Sequence, residues 1–369
     1  MTSPSTPASA RQVPKHLRVL HVDAARHWRG GERQLLLLAA GMRECGAEPL
    51  VAARPGTPLL QRLKAEGIAT AAFAMRSDID LLAVRRLRRL IATWRPDLVH
   101  AHDRRGHALA LAALIGRRTA VPLMVTCRLV ARPRGLVRFG PRVARFIAIS
   151  AAVRDALVDG GIAADRITVA YPGVSAARPE RPRDWRRECD WAPGTLLAGV
   201  VGPLTKDHAS ARLATLIGGI PRDVADRMAL VVLGGHASGH GAIGGVRAFR
   251  AGFVHDVPHA LAGLDLLLHP GGAEGLGTAV IEAMALGVPT VAAAAGGLGE
   301  IIEDGRNGLL FPPDDDASFA DGVARLVGDE TRRLALGAAG PERASRFGPD
   351  RMVESVLAAY RDLMERFMV

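Results

Sequence analysis

Two glutamates, Glu274 and Glu282, stand with seven residues between them in "HPGGAEGLGTAVIEAMALGVPTVAAAAGG" (269–297). Glycines crowd the first, and a helix-forming run carries the second. A helix starting near Gly277–Thr278 has first amides without intrahelical partners and a positive dipole end. Gly275 and Gly277 remove side chains there, so a phosphate can approach the backbone closely. Glu282, about one turn inside the helix, can accept hydrogen bonds from the paired hydroxyls of a ribose. Glu274, at the preceding strand's end, can reach a sugar hydroxyl next to a diphosphate. One carboxylate on each side of an anion site suits ribose, diphosphate and hexose in a row, the parts of a nucleotide-sugar. The same spacing also fits a plain helix start with one packed and one exposed glutamate.

The surrounding pattern has to place these groups. "LRVLHV" (17–22), "PLVAAR" (49–54), "LVHAHD" (98–103), "PLMVTC" (122–127) and "FIAIS" (146–150) read as buried strands, with periodic helical stretches between several of them. Strand, helix, strand predicts an α/β fold with a parallel sheet covered on both faces. The pattern restarts with "LLAGVVG" (196–202), "ALVVLG" (229–234), "LDLLLHP" (264–270) and "PTVAAAA" (289–295). The polar, proline-bearing "AARPERPRDWRRECDWAPGT" (176–195) reads as the linker. The expected organisation is a disordered tail at 1–15, a Rossmann-like domain at 16–178, a second at 179–348, and a C-terminal helix at 349–369. Ligands of doubly wound sheets bind at the carboxyl ends of the strands.

Composition narrows the function. The chain has 369 residues, enough for two domains, and 49% are hydrophobic. Its three cysteines, Cys45, Cys127 and Cys189, lie far apart, which points to neither a disulfide framework nor a zinc site. The Ser/Pro/Ala-rich first residues lack the apolar core of a signal peptide. No apolar run approaches the ~20 residues of a membrane span. Net charge is +11, unevenly spread: residues 1–180 carry 29 basic and 13 acidic side chains, the remainder 19 and 24. A cationic half can meet nucleic acid, an anionic membrane or an anionic substrate. The aromatic stacking residues and motifs of nucleic-acid readers are missing. "VRRLRRLIATWR" (84–95) and "RLVARPRGLVRFGPRVAR" (128–145) interleave arginine with apolar residues, as surface-lying membrane segments do.

"EGLGTAVIEAMALGVPTVA" (274–292), followed by "GGLGEIIEDGRNGLLFPPDD" (296–315), resembles the donor-site motif of retaining glycosyltransferases of the GT-B fold, in sequence family 4. The resemblance extends in element order over 17–369 and is strongest from 253 to 313. It implies two Rossmann-like domains facing across a cleft, with the C-terminal helix returning to the N-terminal domain. The C-terminal domain would bind a nucleotide-diphospho-sugar and the N-terminal domain a saccharide or lipid-linked acceptor of envelope glycan synthesis. It implies no metal and no cofactor. The implied donor-binding residues are Glu282, Gly275, Leu276, Gly277, Thr278, His255, Gly202 and the second glycine turn, Gly296 and Gly297. Gly30 and Gly31 in "WRGGERQ" resemble the family's N-terminal glycine loop, which His102 of "HAHD" would accompany on the acceptor and phosphate side. The expected location is the cytoplasm, at the inner face of the plasma membrane.

One stretch departs from the family. After the second domain's first strand, members usually carry G-R-L-x-x-x-K-G, whose cations neutralise the departing diphosphate. Here "GPLTKDHA" (202–209) puts Pro203 and His208 at those positions, with Lys206 two residues early. Where many relatives have a histidine, "TCR" ends in Arg128. Arginine stabilises charge but shuttles no protons. Glu274, Arg128 and Lys206 are therefore the expected catalytic groups. A non-catalytic GT-B binding subunit and a GT-B sugar epimerase remain as alternatives. "GHGAIG" (239–244) fits a dinucleotide fingerprint only formally; it reads as a solvated glycine loop holding His240, with His236 just before it.

Overall fold

The computed structural model describes residues 16–116, 121–133, 139–175, 178–202, 208–272 and 274–368. The tail expected at 1–15, and the Pro203 and Lys206 positions, lie outside them. The chain divides into two compact units: Met1–Gly173 with Gly348–Val369, and Val174–Phe347.

The first unit is built on a seven-stranded sheet. Its strands are β1 (Arg18–Val22), β2 (Glu48–Ala53), β3 (Ala69–Ala72), β4 (Leu98–Ala101), β5 (Leu123–Cys127), β6 (Val143–Ala148) and β7 (Ile167–Val169). The order is β3-β2-β1-β4-β5-β6-β7, every pair parallel. The order reverses between β1 and β4, the switch point where doubly wound sheets open a crevice beyond their carboxyl ends. Helices α1 (Gly30–Glu44), α2 (Pro58–Ala65), α3 (Leu81–Trp94), α4 (Arg104–Leu114) and α5 (Ala151–Asp159) follow individual strands. Four start on side-chain caps: Thr57, Asp80, Asp103 and Ser150 each accept from an amide of the first turn. In α3 the buried residues are Ala83, Val84, Leu87 and Ile91, a single stripe at helical spacing.

The second unit carries β8 (Leu196–Val201), β9 (Met228–Ile243), β10 (Val246–Gly252), β11 (Leu266–His269), β12 (Thr290–Ala293) and β13 (Leu309–Phe311), in the order β10-β9-β8-β11-β12-β13. Its main helices are α6 (His208–Gly218), α7 (Thr278–Ala285), α8 (Asp316–Gly328) and α9 (Glu330–Ala344). The last helix, α10 (Pro349–Met368), belongs to the first unit. There Met352, Val353, Val356, Leu357, Tyr360 and Leu363 join Leu38 and Met42 of α1 in one core. The helices cross closely at Gly41, where a Cβ would stand 2.6 Å from Val353 Cγ2.

Two expectations change. The stretch 178–195, read as linker, is part of the second unit. Asp184 caps a short helix, and Trp185 is fully buried, its Nε1 donating to Ala260 O at 2.9 Å. A polar, aperiodic stretch hides one large apolar anchor. "GHGAIG" is not a loop either. β9 folds back on itself, so that Phe249 of β10 stands beside both Val231 and His240. The His240 ring meets Phe249 edge-on, with centroids 5.1 Å apart. No helix among the described residues is long and apolar enough to cross a membrane.

Candidate active site

In the second unit the two glycine turns lock together. The turn after β11 carries Glu274, Gly275, Leu276 and Gly277; the turn after β12 carries Gly296 and Gly297. Gly297 N–H donates to Glu274 O at 3.1 Å. Gly296 has φ +56°, and a Cβ on it would lie 2.0 Å from that same oxygen. A Cβ on Gly297 would lie 2.5 Å from Gly275 O. Only glycine permits this approach. Gly277 sits before α7 at φ +85° and offers no side-chain cap to the first amides of the helix, from Thr278 on. Leu276 is buried and anchors the turn from below.

Glu282 lies in the second turn of α7 and is buried, while Glu274 is half-exposed at the strand end. His269 Nε2 stands 3.7 Å from Glu274 Oε1. Burial pushes the His269 imidazolium down, and Glu274 partly opposes that. Gly202 directly follows β8 at φ +137°, with its N–H on Leu233 O. His208 opens α6. His255 follows β10 and is exposed, its ring edge-on to Phe253 with centroids 4.9 Å apart. Phe253 is itself 55% exposed. Sequence reasoning passed over Phe253, although an aromatic inside "GFVHDVP" at a strand end was a usable signal.

In the first unit, Arg128 directly follows β5 and lies on the glycine loop that opens α1. Its Nη2 donates to Gly31 O at 3.3 Å, and its Nε is buried without a hydrogen-bond partner. Gly30 is exposed at the helix start, where Arg29 N–H donates to Glu32 Oε2 at 2.7 Å. Beneath the loop is Asp23, which sequence reasoning missed. Burial, then the neighbouring Asp103, raise its carboxyl to about 7; the Ala25 amide and Arg128 oppose the rise, and Glu32 adds to it.

His102, just past the end of β4, is buried. His102 Nε2 and His21 Nδ1 hydrogen-bond at 2.9 Å. His100 meets Tyr360 OH at 2.6 Å through Nδ1 and Thr126 Oγ1 at 2.8 Å through Nε2. Burial lowers His21 to about 3, and holds His100 and His102 far below the usual imidazole range. Three neutral rings thus fill the sheet face between β1 and β4. Their nitrogens lie within 4.8 Å of one another, a metal-capable grouping in which both nitrogens of His100 already have partners. His21 pairs with His100 across the β1–β4 ladder, which strand alternation alone makes foreseeable.

Residues 28–178 match the family model described as Glycosyltransferase Family 4, and residues 197–329 the model described as Glycosyl transferases group 1. The chain is 31% identical over 224 residues to a D-inositol 3-phosphate glycosyltransferase of Stackebrandtia nassauensis, 55% of this chain and half the length of that relative. It is 30% identical over 308 residues to a D-inositol 3-phosphate glycosyltransferase of Frankia alni, covering 72% of this chain and 74% of the relative. Among solved structures, Anabaena Alr3699/HepE in complex with UDP-glucose matches with TM-score 0.77 and 21% identity, over 94% of this chain and all of that one, a likeness of fold. The fold of both units is that of GT-B proteins. With family models on both halves and a relative aligned over most of its length, the chain belongs to glycosyltransferase family 4.

Proposed function

We propose that the chain transfers a sugar from a nucleotide-diphospho-sugar to a saccharide or lipid-linked acceptor of envelope glycan synthesis, with retention of anomeric configuration and without a metal or cofactor. The interlocked glycine turns carry this reading: they leave the α7 amides facing a diphosphate site flanked by Glu274 and Glu282. Glu282 holds the ribose and Glu274 the transferred sugar. Phe253 and His255 offer exposed ring faces to the base. Amides from Gly275, Gly277, Gly296 and Gly297 stabilise the diphosphate as its charge grows, which is the largest electrostatic lever in such a transfer. Arg128 and Lys206 supply the positive charge that Pro203 and His208 do not. Anabaena Alr3699/HepE, whose structure was solved with UDP-glucose, supports a UDP-sugar as donor.

The acceptor is held by the first unit. Its basic surplus and the exposed apolar start of α3 support contact with the anionic inner face of a membrane. A second reading, a binding subunit without turnover, is favoured by Pro203 alone. A donor panel separates the two. UDP-glucose and its relatives should raise the melting temperature, since a ligand of the native state stabilises it. Incubation with sugar acceptors should then release UDP and form a product whose anomeric configuration, read by NMR, equals the donor's. Inversion would reject retention. A stabilising donor with no turnover against any acceptor would leave the binding subunit. No response to any nucleotide-sugar would sink both.

A further inference from the structure

We infer that a cluster of arginines at the carboxyl edge of the first sheet binds a phosphate group carried by the acceptor. This rests on the glycosyl-transfer reading and names the substrate's chemistry.

Four adjacent parallel strands end at this edge, and the segment after each contributes arginine: Arg76 after β3, Arg54 after β2, Arg26 after β1, and Arg104 with Arg105 after β4. The β1 and β4 segments line a depression of about 450 Å³, within the range of small-ligand sites. It lies beside the switch point of the strand order, where doubly wound sheets bind their ligands.

The guanidinium groups converge. Arg54 Nη1 donates to Met75 O at 2.5 Å, and Arg105 Nη1 donates to the same oxygen at 3.4 Å. Asp78 Oδ2 pairs with Arg104 Nη1 at 2.8 Å, while Asp78 Oδ1 lies 3.6 Å from Arg105 Nε. The other carboxylates here are committed to the backbone: Asp103 accepts from the amides of Ala24, Arg105 and Gly106, and Asp80 from those of Arg76, Leu82 and Ala83. Five cations thus meet three carboxylates, Asp78, Asp80 and Asp103. Burial, followed by the charges of Arg26, Arg105 and Arg76, depresses the Arg54 guanidinium below its ordinary range. A structural ion-pair network would balance its charges; this one leaves a surplus that a dianion relieves. Planar guanidinium forks match phosphate oxygens two at a time, which makes phosphate the fitting anion.

The phosphate has two sources, a soluble sugar or cyclitol phosphate and a phospholipid headgroup, and the experiment separates them. The full chain, saturated with UDP, is titrated with D-inositol 3-phosphate, with unphosphorylated inositol at matched ionic strength, and with phosphatidylcholine vesicles with or without phosphatidylinositol phosphate. Two variants accompany the wild type. Arg54→Gln/Arg105→Gln removes the pair on Met75 O. Arg26→Gln changes an exposed side chain and leaves the fold intact. The phosphorylated probe should bind the wild type and lose about tenfold or more in affinity in the double variant, with a smaller loss in Arg26→Gln, while UDP affinity stays unchanged. If only the phosphoinositide vesicles show this loss, the phosphate is a lipid headgroup. Equal binding of inositol and its phosphate, with no vesicle preference, overturns the site. So do variants that bind either probe as the wild type does. Failure of UDP to bind the wild type would instead strike the glycosyl-transfer reading.

Discussion

The amide of Gly297 donates to the carbonyl oxygen of Glu274 at 3.1 Å, so the second glycine turn of the candidate donor site is the support of the first. Glu274 is thereby placed by its backbone, and its side chain stays half-exposed and available. Position and freedom come from different atoms of one residue.

Gly296 tests that support. At φ +56° and with a would-be Cβ 2.0 Å from Glu274 O, alanine forces the turns apart. Gly296→Ala should cost roughly 2–4 kcal/mol and abolish donor binding. Gly299 sits in the short helix that follows this turn, Leu298–Ile301, and a Cβ there meets nothing within 4 Å. Gly299→Ala should be neutral or stabilising by up to about 1 kcal/mol. Denaturant titration of both variants decides; equal effects would remove the interlock argument.

Glu282 is buried in the second turn of α7. Glu282→Gln keeps the shape and removes the charge that strengthens hydrogen bonds to ribose hydroxyls. Donor affinity should fall about 10- to 100-fold, the equivalent of a charged hydrogen bond at ~1.5–3 kcal/mol. Calorimetry showing wild-type affinity for the donor would exclude the ribose role.

The donor half was legible because its signals are local. Glycines, strand ends and a helix start within 269–300 dictate their own geometry, and the structure brings Glu274, Gly275, Gly296 and Gly297 together. The first-unit site was far less legible. Tyr360 reaches His100 from 260 residues away, and only the packing of α10 on the sheet makes that contact. Arg128 and Gly31 carried separate expectations, yet they touch. Trp185 was lost in a polar stretch because one buried aromatic produces no periodicity. The fold-back of β9 escaped for a related reason: glycine-rich sequence reads as loop until a second strand pairs with it.

Asp23 and the histidines push the pH dependence of stability in opposite directions. The Asp23 carboxyl is raised from 3.8 to about 7 in the folded chain. The folded state then holds the proton more tightly, so its contribution is full below the unfolded value and is lost as pH rises toward 7. His21 is lowered from 6.5 to about 3. Here the unfolded chain takes the proton first, so stability is full above the unfolded value and falls as pH drops toward 3. Each such group changes stability by up to about 1.4 kcal/mol per pH unit within its window. Asp23→Asn cannot ionise, so it should gain on the wild type between pH 5 and pH 8. A constant difference across that range would show that Asp23 titrates normally.

Arg128 covers Gly31 and faces Asp23 and Glu32. If it compensates for the missing arginine at Pro203, Arg128→Met should lower turnover about 10²- to 10³-fold with a smaller effect on unfolding. Lys206→Met, at a position outside the described residues, is the companion. Wild-type turnover in both variants would end the compensation idea.

The last prediction concerns the membrane. The arginine-rich stretch 84–95 lies in α3, whose buried stripe of Ala83, Val84, Leu87 and Ile91 faces the core, so Leu87 is not available to lipid. The apolar contribution comes instead from the helix start, where Ile79 is 83% exposed, Leu81 75% and Leu82 58%. Leu82, Arg85, Arg86 and Arg89 follow i, i+3, i+4, i+7 and share one outward face. Arg88 is tied elsewhere, donating to Ala112 O and Ile115 O at 3.1 Å. An apolar tip beside three exposed cations suits an anionic surface, each cation contributing about 1 kcal/mol at low salt and less as salt screens it. The chain should therefore sediment with anionic vesicles and not with neutral ones. Replacing Arg85, Arg86 and Arg89 with Gln should remove the salt-sensitive part. Replacing Ile79, Leu81 and Leu82 with Ser should weaken what remains at high salt, and neither triple variant should alter donor binding in solution. Equal sedimentation with neutral and anionic vesicles, or unchanged binding by both variants, would reject the surface and leave a soluble acceptor as the substrate to pursue.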